Sequence, residues 1–217
     1  MKSSSTSRQA ILDRVRAVTS SSAPTGYESL PRPYHHRGEL ASLPCLQLFE
    51  ERLREYGAEV LECAPGEEAA SIAAQLRQSG KRKFLAAPEL PQAWRADGFD
   101  WHIDNQLPHD EIEHCDGVVT TAFAAVAESG TIVLHHTGSQ GRRVLTLLPD
   151  WHLCVLYASQ VVETLPEYFA RCAQPPLLAT WIAGPSATAD IEMTRIKGVH
   201  GPRTLHVLLV RDDQPRA

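Results

Sequence analysis

Three short segments carry the residue types that chemistry needs. The first is Gly184-Pro185-Ser186-Ala187-Thr188-Ala189-Asp190-Ile191-Glu192, which follows an apolar run from Leu177 to Ala183. It reads as a strand, a glycine turn and a serine-capped helix from Ala187 to about Ile196. Open α/β sheets build ligand crevices from this combination at the carboxyl ends of their strands, where free backbone N–H groups can hold an anion. Asp190 and Glu192 would favour the helix dipole and repel a phosphate, so hydroxyls, amines or a ribose suit this turn better. A well-capped structural turn accounts for the same residues.

The second segment, Ala127-Glu128-Ser129-Gly130-Thr131, joins a small-residue helix, Ala122 to Ala127, to a strand that begins at Thr131. Gly130 supplies the reversal. A carboxylate in the last turn of a helix opposes the dipole, so Glu128 sits where stability alone would not place it, although a solvated surface glutamate is the simpler account. The third segment, Gly198-Val199-His200-Gly201-Pro202, brackets a histidine with turn formers and exposes an imidazole that can serve as acid, base or ligand near neutral pH. A histidine held only by a backbone hydrogen bond is the alternative. Together the segments nominate Glu128 and His200 for acid–base work. Ser129, Gly130, Thr131, Gly184, Ser186, Thr188, Asp190, Glu192 and Gly201 are the nominated ligand contacts.

Other chemistries lack their residues. No Gly-x-Gly-x-x-Gly or Walker loop is present, and the histidines form no metal set. His135 and His136, adjacent on the strand read from Thr131 to His135, would point to opposite faces. The five cysteines (Cys45, Cys63, Cys115, Cys154, Cys172) show no C-x-x-C pair, so they read as buried small hydrophobes in a reducing compartment. No iron, zinc or flavin is expected on this chain, and any redox centre must come from elsewhere.

The elements that position these segments follow from pattern and length. At 217 residues with 43% hydrophobic and 22% charged, the chain can bury one large α/β core without staples. Its net charge of −5, from 21 Lys plus Arg against 26 Asp plus Glu, is scattered and gives no basic face for nucleic acid. No apolar run is long enough for a signal peptide core or a membrane span, so a cytoplasmic protein is expected.

A first amphipathic helix starts near Thr6, and residues 19 to 44 form a Ser/Pro-rich arm. The α/β domain spans 45–211 and a polar tail covers 212–217. Within the domain, helices at Cys45–Tyr56 and Ala69–Leu76 alternate with strands at Glu59–Cys63 and Phe84–Ala87, which argues for crossover units and a mainly parallel sheet. The stretch from Pro88 to His114, with Trp94 and Trp101, should cover an edge or opening. Gly117–Thr121, Thr131–His135, Arg143–Leu147 and His152–Tyr157 read as closely spaced strands, so part of the sheet should be antiparallel or mixed. A helix at Leu165–Cys172 and a last strand at Thr204–Val210 complete the expectation.

In order and spacing, Ala127-Glu128-Ser129-Gly130-Thr131-Ile132-Val133-Leu134, Leu147-Leu148-Pro149 with His152, Gly184-Pro185-Ser186 through Glu192, and Gly198 to Pro202 resemble the lactate-utilisation protein C group of the LUD-domain family. The resemblance covers residues 45 to 210. It implies a three-layer, open twisted, mixed sheet similar to the sugar-phosphate isomerase and coenzyme A transferase superfamily. It also implies a role in oxidising L-lactate to pyruvate with iron–sulfur partner proteins that hold the clusters. Ala187 departs from the polar or basic side chain that relatives often carry there. The resemblance names a pathway better than a reaction: a stand-alone enzyme on coenzyme A or sugar-phosphate substrates, and a non-catalytic binding subunit, are the alternatives, and fold analogy cannot choose between them.

Overall fold

A computed structural model describes residues 4–20, 26–174, 176–188, 196–197 and 201–212. The chain divides into two units, Met1–His35 and His36–Ala217. The first contains helix α1, Ser4–Thr19, whose apolar Ile11, Val15 and Val18 are exposed.

The second unit is built on six strands: β1 (Glu59–Cys63), β2 (Lys83–Ala86), β3 (Asp100–Ile103), β4 (Gly117–Thr121), β7 (Trp151–Tyr157) and β12 (Thr204–Val210). They lie in the order β1-β12-β7-β4-β2-β3, and every pairing is parallel. The central strands are near-continuous apolar runs, as a sheet covered on both faces requires. On β12, Leu208 and Val210 join Phe84, Trp151, Leu153 and Val155 in a core under helix α3 (Glu68–Ser79). The alternate residues Leu205, Val207 and Leu209 face the opposite way, into a core with Cys45, Leu46, Phe49 and Leu53 of helix α2 (Ser42–Glu55). Full burial of one such leucine contributes about 1.5–3 kcal/mol.

A second sheet packs on α2. It comprises β5 (Ala124–Val126), β6 (Thr131–Leu134), β8 (Val161–Val162) and β9 (Thr180–Ile182), in the order β8-β5-β6-β9. β5 pairs with β8 in parallel and with β6 antiparallel, and β6 pairs antiparallel with β9. Its outer face holds Val126, Val133 and Tyr168, the last from helix α5 (Leu165–Arg171). The molecule is therefore α/β in layers, and the mixed pairing expected from the sequence belongs to this separate sheet.

Four local expectations are corrected. Ala122–Ala127 contains strand β5, not a helix: alanine favours helices intrinsically, but here its small side chains fit between α2 and the layer beneath α5. Arg143–Leu147 contains a 3₁₀ turn, Arg143–Thr146, that buries Leu145 against Leu85, Ile112 and Val118, so its apolar residues answer to a turn and not to a strand. Ala187–Thr188 forms strand β10 and pairs antiparallel with β11, Ile196–Lys197, so the expected helix over 187 to 196 does not begin or end there. The expected strand to His135 ends at Leu134, because His136 turns the chain at φ 58°. Pro88 to His114 supplies edge strand β3 and the short helix α4 (His109–Glu113), with Trp94 and Trp101 packed under α3.

Candidate functional site

The turn after β9 lies away from the carboxyl ends of the main sheet. β9 joins the second sheet, and its following Gly184 (φ 75°) abuts Tyr56 at the end of α2, where an added Cβ would stand 2.5 Å from the Tyr56 Cβ. The Ser186 N–H donates to the Pro202 carbonyl at 2.8 Å, and the space beside Gly201 is bounded by Ser186 and the Thr146 carbonyl. Arg203 Nε bonds Asp150 at 2.6 Å, just ahead of β7. Gly184, Ser186 and Gly201 thus gather near the amino-terminal edge of β7 and β12, contrary to the carboxyl-end crevice expected from sequence.

The Glu128 turn also differs from expectation. Ala127 to Gly130 is a β-turn between β5 and β6, so no helix dipole opposes the Glu128 carboxylate, which is exposed. Ser129 Oγ donates to Thr131 Oγ1 at 2.8 Å, and Gly130 (φ 59°) lies against Arg52 and Leu53 of α2. This turn and Gly184 both rest on the carboxyl half of α2, but no hydrogen bond joins Glu128 to Ser186 among the described residues. Thr188 contributes backbone pairing in β10. Asp190, Glu192, Gly198, Val199 and His200 lie outside the described residues.

The densest polar constellation is elsewhere, on the loop that leaves β6 and crosses the carboxyl ends of β4, β2 and β3. His135 stacks on Phe123 with ring centroids 3.7 Å apart, and its Nε2 meets the Tyr168 hydroxyl at 2.8 Å. His136 Nδ1–H donates to the Gly141 carbonyl at 3.0 Å, while its Nε2 accepts from Thr180 Oγ1 at 2.6 Å. Ser139 Oγ meets Thr121 Oγ1, at the end of β4, at 2.7 Å. Buried Gln140 folds back to accept the His135 N–H. Arg142 clamps Asp104, just after β3, through Nε and Nη2 and also donates to the Leu107 carbonyl. Three residues in this short loop, His136 (φ 58°), Gly138 (φ 56°) and Gly141 (φ 70°), have left-handed backbones. For histidine this conformation is uncommon and stores strain, a property that clusters at functional sites.

Burial lowers the pKa of His135, with a further contribution from His136; burial also lowers that of His136, against the Gly141 hydrogen bond that raises it. Both imidazoles are therefore neutral at pH 7. Burial pushes the Tyr168 phenol up to about 12, aided by a hydrogen bond with Cys172. Nε2 is thus the ring nitrogen of His135 that the Tyr168 hydroxyl engages.

The LUD domain model matches residues 46–210. The chain belongs to the LUD-domain family. It is 36% identical over 208 residues to Lactate utilization protein C of Deinococcus radiodurans, covering 93% of this chain and 96% of that one. It is 34% identical over 149 residues to the protein of the same name from an Exiguobacterium species, covering 63% of this chain and 64% of that one. The crystal structure of a DUF162 family protein from Deinococcus radiodurans matches with a TM-score of 0.65 at 33% identity, over 79% of this chain and 99% of that one.

In this LUD domain the cysteines are spread through separate cores. Cys45 and Cys154 lie under α2, Cys63 under α3, Cys115 beside α4, and half-buried Cys172 beneath the second sheet. Burial raises the thiol of Cys115 to about 11 and that of Cys154 to about 12. Among the described residues no three His, Cys, Asp or Glu gather as they would around a metal ion, and no helix is long and apolar enough to cross a membrane. Sequence reasoning missed the histidine loop because it placed His135 and His136 on a strand. The run His136-Thr137-Gly138-Ser139-Gln140-Gly141, with two glycines directly after a strand, was the available signal.

Proposed function

We propose that this chain works in the cytoplasm as a component of L-lactate utilisation, alongside iron–sulfur partner proteins. The observation that carries this is the 36% identity over 93% of the chain to Lactate utilization protein C of Deinococcus radiodurans. Oxidation of L-lactate to pyruvate breaks the C2–H and O–H bonds and releases two electrons with two protons. The electrons go to the partners' clusters and the protons to nearby bases. This chain itself takes no cluster: iron–sulfur ligation needs several thiolates converging on one point, and its thiols are dispersed, with burial raising three of them. Its part is to bind a small molecule and to engage the partners.

The test is a gene deletion in the native organism. Growth on L-lactate as sole carbon source should fail while growth on pyruvate continues, and the gene in trans should restore it. Lactate-dependent dye reduction should require the co-purified partners. Undiminished growth of the deletion strain on L-lactate would overturn the proposal.

A further inference from the structure

We propose that the cavity between the turn that leaves α3 and the loop that enters β3 binds a nucleoside monophosphate, with Arg77, Lys81 and Arg82 taking the phosphate, Asp97 a ribose hydroxyl and Phe99 the base. The site lies at the amino-terminal edge of β2 and β3, apart from the histidine loop, and does not rest on the lactate role proposed above.

Construction is the first argument. The cavity measures about 360 Å³, and Arg77, Lys81, Arg82, Asp97 and Phe99 all line it. That volume falls within the roughly 300–1,000 Å³ that small-molecule sites occupy. Hydrogen bonds fix its two walls: the Asp100 N–H donates to the Arg82 carbonyl at 2.9 Å, and Trp101 Nε1–H donates to the Ala96 carbonyl at 3.1 Å. Gly80 (φ 68°) and Gly98 (φ 89°) turn the chain at its rim, and nothing stands within 4 Å of where a Cβ would be, so the turns bound the space without filling it.

Charge is the second argument. The side chains of Arg77, Lys81 and Arg82 make no hydrogen bond or ion pair among the described residues. The carboxylates around them are engaged elsewhere: Asp116 accepts the backbone N–H groups of Arg82 and Lys83 at 2.9 Å each, Asp100 faces His102 at 3.2 Å, and Asp150 holds Arg203 at 2.6 Å. The carboxyl end of α3 favours cations at Arg77 and Lys81, but it leaves Arg82, beside the strand, without a structural role. Three cations against the one carboxylate of Asp97 give the cavity a net charge of +2, which a phosphate monoester dianion matches. Asp97 would repel a larger polyanion and accepts hydrogen bonds from hydroxyls, which selects a ligand that carries a sugar. Phe99 is half-buried, edge-on to Phe84 at 5.5 Å, and offers apolar surface on which a base can rest.

Calorimetric titration of the full-length protein with adenosine monophosphate, inorganic phosphate and adenosine tests this. Adenosine monophosphate should bind saturably and about tenfold or more tightly than inorganic phosphate or adenosine, and added salt should weaken it. Arg77→Gln combined with Arg82→Gln removes two exposed guanidinium groups and should weaken the nucleotide by at least about tenfold at an unchanged melting temperature, the scale of lost charge-assisted hydrogen bonds. Asp97→Asn should tighten inorganic phosphate, because a like charge is gone, and narrow the preference for the nucleotide. Asp97 is exposed as well, so its variant reads out independently if the double variant melts early. No saturable binding of adenosine monophosphate, or a double variant that binds it as the parent does, would overturn the site. Equal binding of inorganic phosphate and the nucleotide would overturn the assignment of the ligand.

Discussion

The two sheets of this molecule solve different problems. The six-stranded sheet is parallel throughout and its central strands are buried on both faces, so they can shift only at the cost of two cores at once. The second sheet has strands of only two to four residues, mixed pairing, and an outer layer in which Trp181 stays 39% exposed and Phe169 61% exposed. The first gives rigidity and the second gives reach: its strands carry the histidine loop, Tyr168 and Thr180 to the end of the main sheet. A parallel platform with the polar loop on a smaller attachment of short strands separates stability from function.

The largest expected effect tests the platform. Phe84 is fully buried and packs edge-on against Phe99 and Trp151, with centroids 5.5 and 5.6 Å away. Phe84→Ala should cost about 3–5 kcal/mol in urea unfolding, as large core truncations do. Trp181→Ala on the second sheet, despite its contact with Tyr168 at 4.7 Å, should cost roughly 1–2 kcal/mol because much of that side chain is already wet. Equal costs would mean that the two sheets stabilise the protein alike.

Acid sharpens the same contrast. His152 on β7 is buried, its Nε2 bonds Thr120 Oγ1 at 2.8 Å, and burial pushes its pKa down to about 3. An unfolded histidine titrates near pH 6.5, so above that value neither state is charged and no penalty exists. Below it the unfolded state takes a proton that the folded state refuses, and stability falls by about 1.4 kcal/mol per pH unit until the folded pKa is reached. Between pH 6.5 and about 4.5 this one group should remove roughly 3 kcal/mol. Urea unfolding across that range should show the slope, and His152→Gln should flatten it. The loop histidines His135 and His136 have the same direction of shift, so some slope will persist in the variant. An unchanged slope would show that His152 is not held neutral.

What was legible in the sequence follows the same division. Strand Thr204–Val210 was readable to the residue because a strand buried on both faces is a near-continuous apolar run, and edge strand Glu59–Cys63 because Gly57 and Pro65-Gly66 bracket it with turn signals. β3 was hidden: its Asp100-Trp101-His102-Ile103 is an edge strand with polar positions that need no core. Ala124–Val126 misled because alanine reports helix propensity, whereas the closeness of two packed layers decided its state. At the site, sequence spacing correctly marked the turns at Gly130 and Gly184, whose left-handed backbones and contacts with α2 admit no larger residue without movement. It could not say that these turns lie apart from the polar loop, since that depends on β9 joining the second sheet. The histidine pair was visible as residue types and invisible as geometry, because a positive φ at His136 is set by Gly141 and Thr180 from outside the local pattern.

The smallest expected effect decides which end of the second sheet carries chemistry. Glu128 stands on the β5–β6 turn, anchored by its own N–H to the Glu163 carbonyl at 3.0 Å, with its side chain in solvent. The neighbouring hydroxyls of Ser129 and Thr131 bond each other. Glu128→Gln keeps the turn, removes one solvated charge and should alter stability by less than about 0.5 kcal/mol. Catalytic carboxylates are aimed by the groups around them, and the Glu128 side chain stands in solvent on an exposed turn. Growth on L-lactate should therefore match the parent. A normal melt with failed growth for Glu128→Gln would move the chemistry from the histidine loop to the turns beneath α2, and would make the loop part of the scaffold.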